Sequence, residues 1–150
     1  MSSNLGASPL VRYSHITFTF DGTAGKGAIG NCVLFTITGA IHVVAIDAVV
    51  NTTLTVDGGT GAASLSLGTT GLTTLFVAAT TATLLTSTNK LWYSITPNAS
   101  GIALAAAYKD IAIQQNVVAA VTSSGTQLID GGVLEVTIAW YPTTTNANVA

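Results

Sequence analysis

A chain of 150 residues is the size of one domain, and a compact domain of that length buries roughly 70% of the surface its unfolded chain exposes, so one core is enough. Apolar residues make up 49% of the chain and charged residues only 7%, where a typical soluble domain has about 25%. With four basic residues, Arg12, Lys26, Lys90 and Lys109, scattered along a chain of net charge −2, nucleic acid and anionic membrane surfaces are poor partners, because both need clustered Lys and Arg.

In chain order, Met1 to Pro9 is an uncharged polar segment that reads as an arm. It has neither the basic start nor the apolar run of a secretory signal, so synthesis and retention in a cytosol are expected. "VRYSHITFTF" (Val11 to Phe20) alternates with period two and sets Ile16, Phe18 and Phe20 on one face of a strand. "DGTAGKG" (Asp21 to Gly27) breaks it. "NCVLFTIT" (Asn31 to Thr38) is predicted to turn Val33, Phe35 and Ile37 to one side. After Gly39 comes "IHVVAIDAVV" (Ile41 to Val50), apolar on both faces and hence a candidate central strand. It is far too short and too polar for a spanning helix, and the chain has no aromatic girdles of a membrane barrel.

Thr52 to Gly68 reads as two strands joined at Asp57 to Gly61, since Asp-Gly suits positive φ. In Thr69 to Asn89 the Ala and Leu content permits a helical turn or two around Leu72 to Ala79, while the Thr content opposes a long helix. Lys90 to Pro97 returns to strand and Asn98 to Gly101 turns. Asp110 to Thr122 is strand-like but broken at Gln114, Gln115 and Asn116, the mark of a bulge. Ser123 to Gly132 is a loop. Val133 to Tyr141 is the last strand, with Leu134, Val136, Ile138 and Trp140 on one face, and Pro142 to Ala150 is a second arm. The expected fold is therefore all-β: a single-domain antiparallel β-sandwich or jelly roll of about eight strands, residues 1–150, with arms at 1–9 and 142–150.

Reactive chemistry has few candidates. Of the acidic residues Asp21, Asp47, Asp57, Asp110, Asp130 and Glu135, a glycosidase would need two facing each other across a cleft, but Asp21, Asp57 and Asp130 each precede glycine, where a carboxylate bonds its own turn backbone. Asp47, inside an apolar strand, and the strand histidines His15 and His42 are the one set that a metal site or a nucleophile and base could use, but two histidines without a spaced third ligand are a weak pattern. "GTAGKG" (Gly22 to Gly27) lacks the phosphate-loop spacing. Cys32 is the only cysteine, so it forms no internal disulfide and is expected to pack as a small apolar group. The Asn98 to Ser100 sequon has no meaning without secretion. Trp92, Tyr93, Trp140 and Tyr141 are a possible sugar-stacking platform, though alternating strand aromatics more often enter a core or an interface. No enzyme, cofactor or metal is expected. The missing charge instead points to burial against copies of the same chain or a partner, because uncharged surface is cheap to desolvate.

The order of "TFTFDGTAG", "TLTVDGGTGAASLSLGTTGLTTLFVAATTATLL", "NKLWYSIT" and "IDGGVLEVTIAWYPTTTNANV" resembles small β-rich virion proteins of tailed bacteriophages, above all head decoration (cement) proteins. The resemblance covers Ala62 to Val149 and leaves out the first forty residues. It implies a compact sandwich or jelly roll, often trimeric, that sits on the capsid surface of the virion and clamps neighbouring copies of the major capsid protein. Met1, Leu5, Pro9, Trp140, Tyr141, Pro142, Asn146 and Asn148 are then the candidate contact residues. The alternative is a tail or fibre module that touches a host-surface glycan.

Overall fold

The structure, a computed structural model, describes residues 10–87 and 111–150. These residues form ten strands: β1 (Arg12–Thr19), β2 (Gly30–Phe35), β3 (Ile37–Thr38), β4 (Ile41–Val56), β5 (Ala63–Thr69), β6 (Leu72–Thr81), β7 (Ile111–Ile113), β8 (Val117–Ser123), β9 (Ile129–Pro142) and β10 (Asn148–Val149). A 3₁₀ turn, Ala82–Leu84, follows β6. The chain is all-β and its strands pair antiparallel. One four-stranded sheet has the order β1-β9-β4-β7, a second the order β2-β8-β5-β6, and β10 with β3 makes a two-stranded ribbon. Among the described residues no helix is long and apolar enough to cross a membrane.

Period-two patterning explains the first sheet. Its middle strand β9 sets Leu134 between Phe18 and Val50, Val136 between Ile16 and Ala48, and Ile138 between Ser14 and Ile46. These residues face one hydrophobic cluster that also takes Cys32, Leu65, Leu67, Phe76, Ala119 and Val121 from the second sheet. The expected face of β9 is therefore the buried one, and Trp140 completes it at 3% exposure. Its Nε1–H donates to Ser14 Oγ at 3.1 Å, and the Arg12 guanidinium lies 5.3 Å from its ring centroid. A buried indole needs such a partner for its one donor.

Several expected boundaries move, each for a local reason. In β2 it is Cys32 and Leu34 that enter the core, while Val33 is 46% exposed; a register shift between Val33 and Phe35 then returns Phe35 to the interior. Thr52 to Val56 is no separate strand but the end of the 16-residue β4, which passes register shifts beside Gly131 and Gly132. The helical reading of Leu72 to Ala79 is overturned: these residues belong to β6, paired with β5, because Thr and Val favour a pleated surface and the core takes Phe76 and Val77. The break at Gln114 to Asn116 is a change of sheet, with β7 against β4 and β8 between β2 and β5. Asn116 fixes that crossing, its Oδ1 accepting from Ile37 N–H at 3.0 Å and its carbonyl from Thr70 N–H at 3.1 Å. The strand and turn expected at Lys90 to Gly101, and the arm Met1 to Pro9, lie outside the described residues.

The C-terminal segment is not an arm standing off the domain. β10 pairs with β3, and Thr36 and Ala150 exchange two backbone hydrogen bonds at 2.7 and 3.0 Å. Thr143 N–H donates to the Ala40 carbonyl at 2.9 Å, and Thr144 Oγ1 accepts from Ala40 N–H at 2.9 Å. Ala147 and Val149 are buried, and Asn146, at φ 66°, makes the bend that turns the chain back. Pro142 still belongs to the ladder, opposite Ile41.

Candidate functional site

The side chains that sequence patterning marks for chemistry gather on the outer face of the first sheet, because they alternate with its core residues. His15 and Asp47 both pair with Thr137, from the two sides of β9. His15 Nε2 lies 3.8 Å from Glu135 Oε2, with both side chains well exposed. Exposed pairs of this kind add little to stability. At one end of the face His42 and Tyr141 are opposite each other; their rings stack at 5.0 Å with 22° between planes, and Nδ1 and Oη are 2.9 Å apart.

The expected trio of His15, His42 and Asp47 shares this face but does not converge. Asp47 sits four β9 positions from the His42 and Tyr141 pair, which at about 3.3 Å per residue is some 13 Å. Among the described residues no group of three or more His, Cys, Asp or Glu could hold a metal ion. The face offers hydrogen-bonding groups and rings, among them the His42 and Tyr141 pair.

Asp21 and Asp57 bond their own turn backbone as the Asp-Gly steps predict, whereas Asp130 lies within β9 and bonds a side chain of β4 instead. Asp21 Oδ1 accepts from Thr23 Oγ1 at 2.5 Å and Thr23 N–H at 2.9 Å, and these two bonds, with Lys26 nearby, hold its carboxyl below the usual range. Asp57 Oδ1 accepts from Gly59 N–H at 3.2 Å and Leu128 N–H at 3.0 Å; Asp130 Oδ1 accepts from Thr55 Oγ1 at 2.6 Å. "GTAGKG" is a packed turn, with Lys26 carbonyl accepting from Asp21 and Gly22 N–H, and Ile129 N–H donating to the Gly27 carbonyl. Cys32 has no exposure, and burial pushes its thiol up.

Of the candidate contact residues, Trp140 is withdrawn into the core, and neighbouring strand positions turn it and Tyr141 to opposite faces, so the two make no joint platform. Tyr141 and Pro142 are half-buried; Asn146 and Asn148 are exposed on the docked tail. Met1, Leu5, Pro9, Trp92 and Tyr93 lie outside the described residues. A cleft of about 280 Å³ opens between β7 and the β5–β6 turn, where Gln115 Oε1 accepts from Gly71 N–H at 2.7 Å and Thr69 Oγ1 at 3.1 Å.

Patterning missed one surface. Leu10, Val11 and Tyr13 are 86%, 41% and 74% exposed at the start of β1, an outer strand. The signal was present, since Tyr13 falls on the face opposite Ile16, Phe18 and Phe20, but alternation does not say which strand ends a sheet. No protein-family model, curated protein or solved structure matches the chain.

Proposed function

We propose that the chain is a jelly-roll subunit of a bacteriophage virion that binds the outside of an assembled capsid as a homo-oligomer and stabilises it by bridging capsid subunits. The observation that carries this reading is the strand order. Among the described residues, and leaving aside the two-residue β3 and β10, the strands numbered afresh run 1-8-3-6 in one sheet and 2-7-4-5 in the other. That order arises when one long antiparallel hairpin is rolled up, so that first pairs with eighth, second with seventh, third with sixth and fourth with fifth. Two-sheet jelly rolls serve as viral capsid and lectin domains. A fold alone does not name a function. The likeness of the sequence to decoration proteins selects the virion among the uses of the roll.

The mechanism is additive contact without turnover. A protein that binds the assembled shell and not the free capsid subunit stabilises the shell by mass action, and many symmetric copies multiply a modest energy per site. The contact set is Met1 to Pro9 with the exposed Asn146 and Asn148, and the half-buried Tyr141 and Pro142 beside them. Trp140 supports this set from within the core.

Co-sedimentation with empty expanded heads, set against free capsid subunits, tests the reading. The full chain is expected to pellet with heads, and a variant lacking Met1 to Pro9 to do so less while keeping its circular dichroism spectrum. Full occupancy by that variant removes the N-terminal segment from the mechanism. No binding to heads, or a tail location in electron micrographs of particles, overturns the proposal.

A further inference from the structure

We infer that the outer edge of β1 is a self-association surface, on which β1 of a second copy adds antiparallel about a two-fold axis at Tyr13. This does not depend on the virion reading. It rests on where the backbone groups of β1 point and on its regularity beside the other outer strands.

Phe20 N–H donates to the Gly132 carbonyl at 3.0 Å, which marks that opposed pair as a hydrogen-bonded one. In an antiparallel ladder such pairs alternate, so Arg12, Ser14, Ile16 and Phe18 turn both backbone groups toward β9. Tyr13, His15, Thr17 and Thr19 turn theirs away from the sheet, to an edge that no other strand among the described residues pairs with. β1 keeps register with β9 over eight consecutive positions without a shift, and it contains no proline and no lysine. A long regular edge of this kind is a template for another strand.

The other outer strands are less regular among the described residues. β2 is interrupted by the shift between Val33 and Phe35. β6 shifts register twice against β5, and its Phe76 and Thr80 have further partners.

A second copy of β1 is the occupant that this edge fits. With the axis at Tyr13, seven residues from Leu10 to Ile16 lie opposite the same seven reversed. Tyr13 meets its own counterpart, Val11 meets His15, Leu10 meets Ile16 and Arg12 meets Ser14. All three exposed apolar side chains are then covered, and aromatic cross-strand pairs are favourable. No like charges are opposed: Arg12 is the only formal charge in the span, and its guanidinium already lies over Trp140. The pairing is self-complementary, as a two-fold contact must be. The seam is about 24 Å long at roughly 3.4 Å per residue. It falls short of the roughly 800 Å² per partner of stable complexes, so association is weak in dilute solution and strong where copies are held side by side.

Sedimentation velocity of the full chain up to about 300 μM, a range that resolves affinities weaker than micromolar, provides the test. The mass is expected to rise with concentration toward twice the 15.1 kDa of one chain. Tyr13→Lys places two like charges at the axis, and His15→Pro removes an outward N–H while leaving the β1–β9 bonds intact; either is expected to keep the protein folded and monomeric. Val33→Lys, on the β2 edge, is expected to dimerise like the parent. Oxidised Tyr13→Cys should give a disulfide-linked dimer, which the buried Cys32 cannot give. A monomer at every concentration, or an oligomer of any size that both Tyr13→Lys and His15→Pro leave unchanged, overturns the inference.

Discussion

Replacing Val149 by aspartate separates a tail that belongs to its own domain from one that waits for a neighbour. In the folded chain Val149 is 8% exposed opposite Ile37, so the change forfeits about 1.5–2 kcal/mol of apolar burial and adds a carboxylate that costs several kcal/mol to bury unpaired. The full sum is not observable, because the tail can detach, and the loss is capped by its docking free energy. That energy comes from the burial of Val149 and Ala147 and from the backbone bonds of Thr36, Ala40, Thr143 and Ala150, at about 1 kcal/mol net each. Ordering the tail, at about 1–2 kcal/mol per residue, offsets much of it. The expected loss is therefore about 1–3 kcal/mol. In a domain of this size that lowers the Tm by about 3–10 °C, read by circular dichroism. Limited proteolysis of Val149→Asp should cut between Thr143 and Ala150 while the parent resists. A Tm within about 1 °C of the parent, with equal resistance, would refute the docked tail.

Gly27 has φ +126°, and a Cβ there would meet the Ile129 carbonyl oxygen at 2.0 Å, so Gly27→Ala should cost more than about 2 kcal/mol in chemical denaturation. Gly25 has φ +76° with nothing near it, and Gly25→Ala should cost only the left-handed penalty of about 1–2 kcal/mol. Trp140→Ala leaves a core cavity and an unpaired Ser14 hydroxyl, and an expected loss of about 3–5 kcal/mol, read from the same denaturation midpoints. The Cys32 thiol is pushed up in the folded state, so it favours the fold below the unfolded thiol value of about 8.5, and that support is lost as pH rises toward the folded value. Stability should fall above about pH 8.5, less steeply in Cys32→Ala, and iodoacetamide should label Cys32 only on unfolding.

Patterning reached what depends on neighbours in sequence. The faces of β1 and β9 follow from alternation, and the Asp57 and Asp21 turns from Asp-Gly chemistry. It failed where a residue far away decides. The inward turn of Cys32 and Leu34 depends on pairing with β8, and the chain at Gln114 to Asn116 changes sheets because Asn116 bonds Ile37, 79 residues earlier. β6 was read through the helix propensity of Ala and Leu, which tertiary pairing overrides. Terminal polarity suggested an arm at Pro142 to Ala150, yet Ala147 and Val149 alternate with Asn146 and Asn148 as a short strand should. That alternation was visible and was outweighed by position in the chain.

The shortage of charge acquires a sharper meaning from where the charges sit. Asp21 is held by Thr23 and Lys26, Asp57 by Gly59 and Leu128, Asp130 by Thr55, and Arg12 covers Trp140. Most formal charges among the described residues are thus tied to turns and cross-strand pairs of the chain's own fold. Apart from these groups, Asp47 and Glu135, the described surface is largely hydroxyl, amide and apolar. Burying such surface against a second copy or a shell requires no ion to be stripped of water, the step that makes charged contacts costly. The same economy removes the charged residues that normally keep sheet edges apart. β1, whose neighbours in the pair proposed above would be tyrosine, valine and leucine, is where that absence has its largest effect. A lysine at Tyr13 would restore the missing protection, so solubility at high concentration and self-association should change together in that variant.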